Sequence, residues 1–194
     1  ILSRQPIDEA SCVRGIPGFE DEQKRVIAAT IGDLRIVNLY VVNGQDVGTD
    51  KYDYKLRWLE AVHDWIAQEL QRHPELVVLG DFNIAPLESD VWNHKQLINT
   101  VSHTAIEIDH LNAMRDAHSW IDVGRTFVPA PERLYTWWSY RARDWSVSDR
   151  GRRLDHMWVS PDIAETVKAH RVVEACRGWN KPSDHAPLIS EFVF

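Results

Sequence analysis

Hydrophobic positions divide the chain into short β-like runs separated by two helical stripes. Residues 25–30 and 34–42 are β-branched runs joined by Ile31-Gly32-Asp33, a hairpin signal. Leu56, Leu59, Val62, Ile66 and Leu70 recur at helical spacing, with Thr49 or Asp50 as the cap and Pro74 as the stop. Residues 76–79 are then apolar without interruption, as in a strand buried on both faces. Hairpin, helix and strand in that order predict a sheet covered by a helix. Further on, Ile108, Leu111 and Met114 share one face of a helix expected over residues 104–117. Residues 154–159, 169–175 and 188–194 read as strands, and 161–167 as a short helix. Residues 87–101 read as loops and short turns, residues 5–24 as a loop or edge hairpin, and residues 1–3 as the tail of a strand. No repeat, low-complexity run or linker interrupts the pattern, so residues 1–194 are expected to form a single domain.

Composition narrows the class. The chain has 194 residues, 44% hydrophobic and 26% charged, enough for one globular domain with a sizeable core. No apolar run approaches the roughly 20 residues that span a membrane. The first residues resemble no targeting peptide, and a cytoplasmic protein that acts as a monomer is expected. Cys12 and Cys176 lie far apart and are read as two reduced, buried thiols. His103, His110 and His118 are read as surface or capping residues, because no Cys or carboxylate stands at zinc-ligand spacing. The formal charge of -7 argues against a general nucleic-acid binder. One local rim of Arg141, Arg143, Arg150, Arg152 and Arg153 runs against it, although a solvated loop explains that window equally well. Nine tryptophans are present. Adjacent Trp137 and Trp138 point to opposite sides of an extended segment, so one of them faces a cleft or a partner.

The candidate chemistry gathers at strand ends. Gly80 breaks the apolar run, and Asp81 and Asn83 follow on one side with Phe82 on the other. Open α/β proteins place their sites at the carboxyl ends of strands, whereas a plain Asx-rich turn would use the same residue types. Tyr40 and Asn43 close another strand, Asp155 opens a third, and Asp184-His185 precedes the last. Carboxylate and amide oxygens suit a hard cation such as Mg²⁺. A histidine beside a carboxylate has its tautomer fixed and its charge held. A tyrosine hydroxyl and asparagine amides suit a non-bridging phosphate oxygen. Together these fit in-line attack of water on a phosphodiester.

The motifs Gly-Asp-Phe-Asn-Ile-Ala-Pro (80–86), Tyr-Thr-Trp-Trp-Ser-Tyr-Arg (135–141), Gly-Arg-Arg-Leu-Asp-His (151–156) and Pro-Ser-Asp-His-Ala-Pro (182–187) occur in this order. The chain resembles the exonuclease III family of DNA-repair nucleases, within the DNase-I-like endonuclease/exonuclease/phosphatase superfamily. The resemblance implies an α/β fold: a four-layer sandwich of two packed mixed β-sheets flanked by helices. It also implies a Mg²⁺-dependent (or Mn²⁺-dependent) phosphodiesterase that cuts double-stranded DNA at abasic sites or trims 3′ ends. Carried over position by position, Tyr40 and Asn43 contact the scissile phosphate. Asp81 transfers a proton, and Asn83 orients phosphate or nucleophile. His185 binds phosphate or activates water, with Asp155 as its partner. Asp184 belongs to the metal site, which Asp81, Asn83 and His185 are expected to share. Trp137 and Leu154 line a pocket for an extruded baseless sugar. Arg152 stands where some relatives carry an aromatic wall and is read, with Arg153, as DNA-binding. Family members carry an asparagine and a metal-binding glutamate ahead of the segment that begins at Ile1. The reading is therefore of an N-terminally truncated domain in which the first strands of one sheet are absent. A non-catalytic DNA-binding fragment or a superfamily phosphatase are the rival readings.

Overall fold

The hairpin expected at residues 25–42 forms. The computed structural model describes residues 1–194. β1 (Asp8–Arg14) is followed by β2 (Val26–Ile31) and β3 (Leu34–Tyr40). β2 and β3 pair antiparallel from Val26↔Leu39 to Ile31↔Leu34. β1 adds to β2 as an edge strand whose register shifts between Asp8 and Val13, an irregularity that blunts an exposed edge. It lies inside the stretch read as a loop or edge hairpin. Residues 1–3, expected as a strand tail, are exposed irregular chain instead, and Leu2 is fully exposed.

α1 (Asp50–Arg72) crosses the sheet and returns the chain as β4 (Leu76–Asp81), parallel to β3. Its N-cap is Thr49, whose hydroxyl accepts the Tyr52 N–H at 3.3 Å. The buried face of α1 is turned slightly from the stripe of aliphatic residues. Trp58, Leu59, Val62, Trp65 and Ile66 fill it, while Leu56 and Leu70 are only half-buried. Two charged residues complete that face because each finds a partner. Glu69 pairs with Arg35 of β3 at 2.6 Å, and Lys55 pairs with Glu107 at 2.5 Å.

After β4 come α2 (His94–Leu97), α3 (Ala105–Asp116), β5 (Ile121–Asp122) and α4 (Val123–Phe127). The remaining elements are β6 (Trp137–Trp138), α5 (Trp145–Ser148), β7 (Gly151–Arg152), β8 (Asp155–Val159), β9 (Val167–Val172) and β10 (Leu188–Phe192). β8 pairs antiparallel with β4, and β5 with β8, giving one mixed six-stranded sheet ordered β1-β2-β3-β4-β8-β5. One face carries α1 and α3 over the main core, which runs from Val37 and Val78 to Trp58, Leu111 and Trp158. On the other face Val77 and Val159 pack with Ile163, Val167 and Phe192, so the β9–β10 ribbon forms the opposite layer. The α/β class is as expected. Where a second mixed sheet with its first strands absent is expected, the structure has two two-stranded antiparallel ribbons, β9–β10 and β6–β7. The helix expected at 161–167 is a 3₁₀ turn over Pro161–Thr166.

His103 departs from its expected surface position. It is 1% exposed, its Nδ1–H donates to the Ala85 carbonyl at 2.6 Å, and its Nε2 accepts from His94 Nδ1 at 2.8 Å. Two polar partners make burial of a neutral imidazole tolerable.

The pairing of the central strands aligns the chemistry. Tyr40 faces Asp81 across β3–β4, and Asp81 faces Asp155 across β4–β8. One row across three adjacent strands therefore ends in a phenol and two carboxylates. Gly80, just before that row, has φ +131°, and a Cβ there would lie 2.0 Å from the Leu39 carbonyl oxygen. Only glycine lets β4 run this close to β3.

Candidate active site

Asp81 is placed by β4 and locked by the turn that follows. Its two carboxylate oxygens accept the Asn83 backbone N–H and the Asn83 amide N–H, both at 2.9 Å. Asn83 holds this position with φ +50°, a left-handed geometry that asparagine tolerates. Its amide also donates to the Val41 carbonyl, and its Oδ1 accepts from Asn43 Nδ2, both at 3.0 Å. Asn83 is thus a positioning group for Asp81 and Asn43, with both of its amide N–H donors engaged.

His185 closes the row from outside the sheet. Its Nδ1 meets Asp155 Oδ2 at 2.8 Å, and its Nε2 lies 4.0 Å from Asp81 Oδ2. β6 delivers it: Trp137 bridges to His185, Trp138 N–H donates to the Asp184 carbonyl, and Ala186 N–H donates to the Thr136 carbonyl. Thr136 was not among the expected site residues. Its buried hydroxyl accepts both the Leu154 and the Asp155 N–H at 3.0 Å, fixing the entry to β8. Trp137 Nε1–H donates to Asp184 Oδ2 at 2.9 Å. Of the adjacent tryptophans, Trp137 lines the cavity and Trp138 is buried, as the alternation requires.

These groups converge on one cavity of about 670 Å³. Tyr40, Asn43, Asp81, Asn83, Trp137, Arg152, Leu154, Asp155, Asp184 and His185 all contribute to its lining. Arg153 does not. It is 2% exposed and points away, paired with Asp122 and, through Nε at 3.3 Å, with Asp90. The alternation of an extended segment explains this, since its neighbours Arg152 and Leu154 take the cavity side. The buried ion network includes Arg125, 2.5 Å from Asp90, and His156, whose Nδ1 accepts from Arg153 at 2.9 Å.

Beneath the cavity sits a second buried pair that the hydrophobic pattern concealed. Lys55 Nζ donates to the Asn83 carbonyl at 2.9 Å, to the Asn43 carbonyl at 3.3 Å and to Glu107 at 2.5 Å. Glu107 also accepts the Ser102 N–H at 3.0 Å and the Thr104 N–H and hydroxyl at 3.1 and 2.7 Å. One fully buried ion pair therefore ties the Asn43 and Asn83 turns to the 100–104 loop, from which Thr100, Val101 and Ser102 line the cavity.

The electrostatics follow from this crowding. Burial pushes the Asp81 carboxyl up to about 6, reinforced by the charge of Asp155 and partly opposed by His185, the Asn83 N–H and Lys55. Burial alone would lower His185, but its hydrogen bond to Asp155 and the charges of Asp155, Asp81 and Asp184 outweigh burial and raise it. Asp81, Asp155 and His185 present ligand atoms within 4.8 Å of one another. With Asp184 lining the same cavity, the site offers the carboxylate oxygens a hard divalent cation takes. The donor set therefore fits a metal. Its closest carboxylate and imidazole members are Asp81, Asp155 and His185, and Asn83, expected as a ligand, lines the same cavity with Oδ1 accepting one bond, from Asn43.

A mixed sheet whose central strands end in carboxylates and amides beside an imidazole defines the DNase-I-like class of α/β proteins. The chain belongs to the Endonuclease/Exonuclease/phosphatase family, whose model matches residues 1–185, and within it to the exonuclease III family. An exodeoxyribonuclease of Bacillus subtilis is 29% identical over 170 residues, which cover 87% of this chain and 64% of that relative. The chain thus spans under two thirds of that relative's length. Two solved structures superpose closely. A 3′ phosphatase from Neisseria, NExo, bound to a product DNA hairpin, matches with TM-score 0.93 and 34% identity over 99% of this chain and 73% of its own. An AP endonuclease from Archaeoglobus fulgidus matches with TM-score 0.90 and 28% identity over 97% of this chain and 72% of its own. No helix is long and apolar enough to cross a membrane.

Proposed function

We propose that residues 1–194 form a single domain that hydrolyses phosphoester bonds of double-stranded DNA with a bound Mg²⁺ or Mn²⁺ ion, at abasic sites, at 3′ ends or at both. The observation that carries this reading is the convergence of Asp81, Asp155 and His185 in one cavity beside the Asn43 and Asn83 turns. The relatives' names, an exodeoxyribonuclease, a 3′ phosphatase with a product DNA hairpin and an AP endonuclease, support DNA as the substrate class.

In this reading Asp155 holds His185 through Nδ1 and stabilises its cationic form, leaving Nε2–H to donate to a phosphate oxygen. Asp81, whose carboxyl burial and Asp155 push up and a bound cation would draw back down, transfers a proton with the attacking water or with the leaving oxygen. Asn43 keeps one amide N–H beyond the one given to Asn83. With the Tyr40 hydroxyl it serves the non-bridging oxygens. Asp184 is oriented by the Trp137 indole. The carboxylates of Asp81, Asp155 and Asp184 would hold the cation, which would supply positive charge against the developing phosphate charge.

The test is cleavage of two duplexes, one with an internal tetrahydrofuran abasic analogue and one with a 3′-phosphate. Cutting is expected with Mg²⁺, none with EDTA, and a loss of several orders of magnitude in kcat for His185→Ala. Undiminished cutting in EDTA, or full activity of His185→Ala, refutes the assignment.

A further inference from the structure

The cavity shares a wall with a second groove. Trp137 and Arg152 line both the cavity and a neighbouring groove of about 800 Å³, which continues past Trp92 to Arg141, Arg143 and Arg150. Arg152 is held firmly in this wall. Its Nη1 donates to the Val101 carbonyl at 3.1 Å and to Ser102 Oγ at 2.6 Å. Its guanidinium carbon lies 5.7 Å from the Trp137 ring centroid, within cation–π range. Both protein bonds use Nη1, so Nη2 remains available, and Nε is buried with no partner.

Arg152 is the single Lys or Arg side chain lining the cavity, which it shares with the carboxylates of Asp81, Asp155 and Asp184. Two residues, Arg153 and Leu154, separate it from Asp155, so the two Cα atoms lie at most about 11 Å apart along extended chain. Guanidinium and carboxylates thus share one cavity of about 670 Å³, within the size range of pockets that enclose small-molecule ligands. A neutral group pressed against this wall would strip water from a charge and return nothing for it. A phosphate returns charge-assisted, bidentate hydrogen bonds. The groove beyond has the composition that tracks a strand: Arg150 lies 4.7 Å over the Trp92 ring, with Arg141 and Arg143 alongside.

We propose that Arg152 binds the phosphate next to the scissile one, so that the bound strand runs from the acidic row, over Arg152, into the Trp92–Arg150 groove. This rests on the nuclease reading and names the substrate feature it requires: a nucleotide bearing a phosphate on each side.

The experiment measures affinity by fluorescence anisotropy in EDTA, where no cutting occurs. Wild type, Arg152→Leu and Arg152→Lys are titrated with a tetrahydrofuran duplex and with versions in which each flanking phosphate in turn is a neutral methylphosphonate. Wild type should lose about tenfold in affinity from one methylphosphonate other than the scissile one. Arg152→Leu should show that loss on the unmodified duplex, lose nothing further from the same methylphosphonate, and have a log K–log salt slope smaller by about 1. Arg152→Lys should recover part of the loss. Additive losses at every phosphate, or unchanged affinity in Arg152→Leu, overturn the proposal. If Arg152→Leu melts at a markedly lower temperature, Arg152→Lys decides, and a folded lysine variant with wild-type sensitivity to every methylphosphonate also overturns it. Failure of wild type to cut DNA with Mg²⁺ would remove the nuclease reading and leave this binding result legible on its own.

Discussion

Replacing Lys55 by methionine tests the buried support under the cavity. The side chains of Lys55 and Glu107 are both 0% exposed, so neither charge can turn to water when its partner is lost. Burial lowers the Lys55 pKa, and Glu107 opposes that drop. Methionine keeps the length of the side chain but removes the cation and three donated hydrogen bonds, to Glu107, Asn83 and Asn43. Breaking one side of such a pair costs about 3–5 kcal/mol. For a chain of this size that lowers Tm by roughly 6–20 °C. Lys55→Met/Glu107→Gln removes the stranded carboxylate, so the double variant should recover part of the loss, with a coupling energy on the order of 1–3 kcal/mol. Urea unfolding of the wild type, both single variants and the double variant measures the cycle. Because Lys55 also fixes the carbonyls of Asn43 and Asn83, the folded single variant should cut DNA more slowly as well. A Lys55→Met loss below about 1 kcal/mol, or a cycle in which the losses simply add, would refute the argument that the pair is a buried, mutually dependent unit.

Arg153→Met should destabilise by about 3–5 kcal/mol in urea unfolding, because it strands Asp122 and leaves Asp90 with Arg125 alone. The same variant should leave the salt dependence of DNA binding unchanged; a slope reduced by about 1 would put Arg153 back on the DNA side. His103 carries a pH signature. Burial lowers its pKa, helped by the charges of His94 and Arg152 and opposed by its bond to Ala85 and by Asp90. The unfolded chain takes up its proton near 6.5, above the lowered pKa of folded His103, so stability present above that pH declines as pH falls through it. The unfolding free energies of wild type and His103→Gln should therefore converge as pH falls from 7 to 5. A constant gap across that range would show that His103 takes up its proton in the folded state as readily as in the unfolded one.

Local chemistry alone was enough for the hairpin, the caps and the central strand. A β-branched run, a Thr at an N-cap and an uninterrupted Leu-Val-Val-Leu segment each state their preference within a few residues. The alternation of side chains also put Trp137 and Trp138 on opposite sides, and the structure decided which of them faces the cavity. Asp81, Asp155 and His185 were legible as strand-end residues for the same reason. What no local pattern contains is which strand lies beside which. The row Tyr40, Asp81, Asp155 exists because β3, β4 and β8 are neighbours in that register, although 115 positions separate Tyr40 from Asp155.

The buried charges show the same limit from the other side. Lys55 and Glu107 lie 52 positions apart, and in sequence each is an ordinary helix residue. Only the packing of α1 against α3 makes them one ion pair. Arg152 and Arg153 are adjacent and chemically identical in sequence, yet one lines the cavity and the other is sealed beside Asp90 and Asp122. Sequence by itself determined which residue types stand at the ends of strands, because backbone preference and side-chain alternation act over a few residues. Tertiary structure decided which charges meet, because Coulomb energy and desolvation depend on distance and burial, and both are set only when remote strands close on one another.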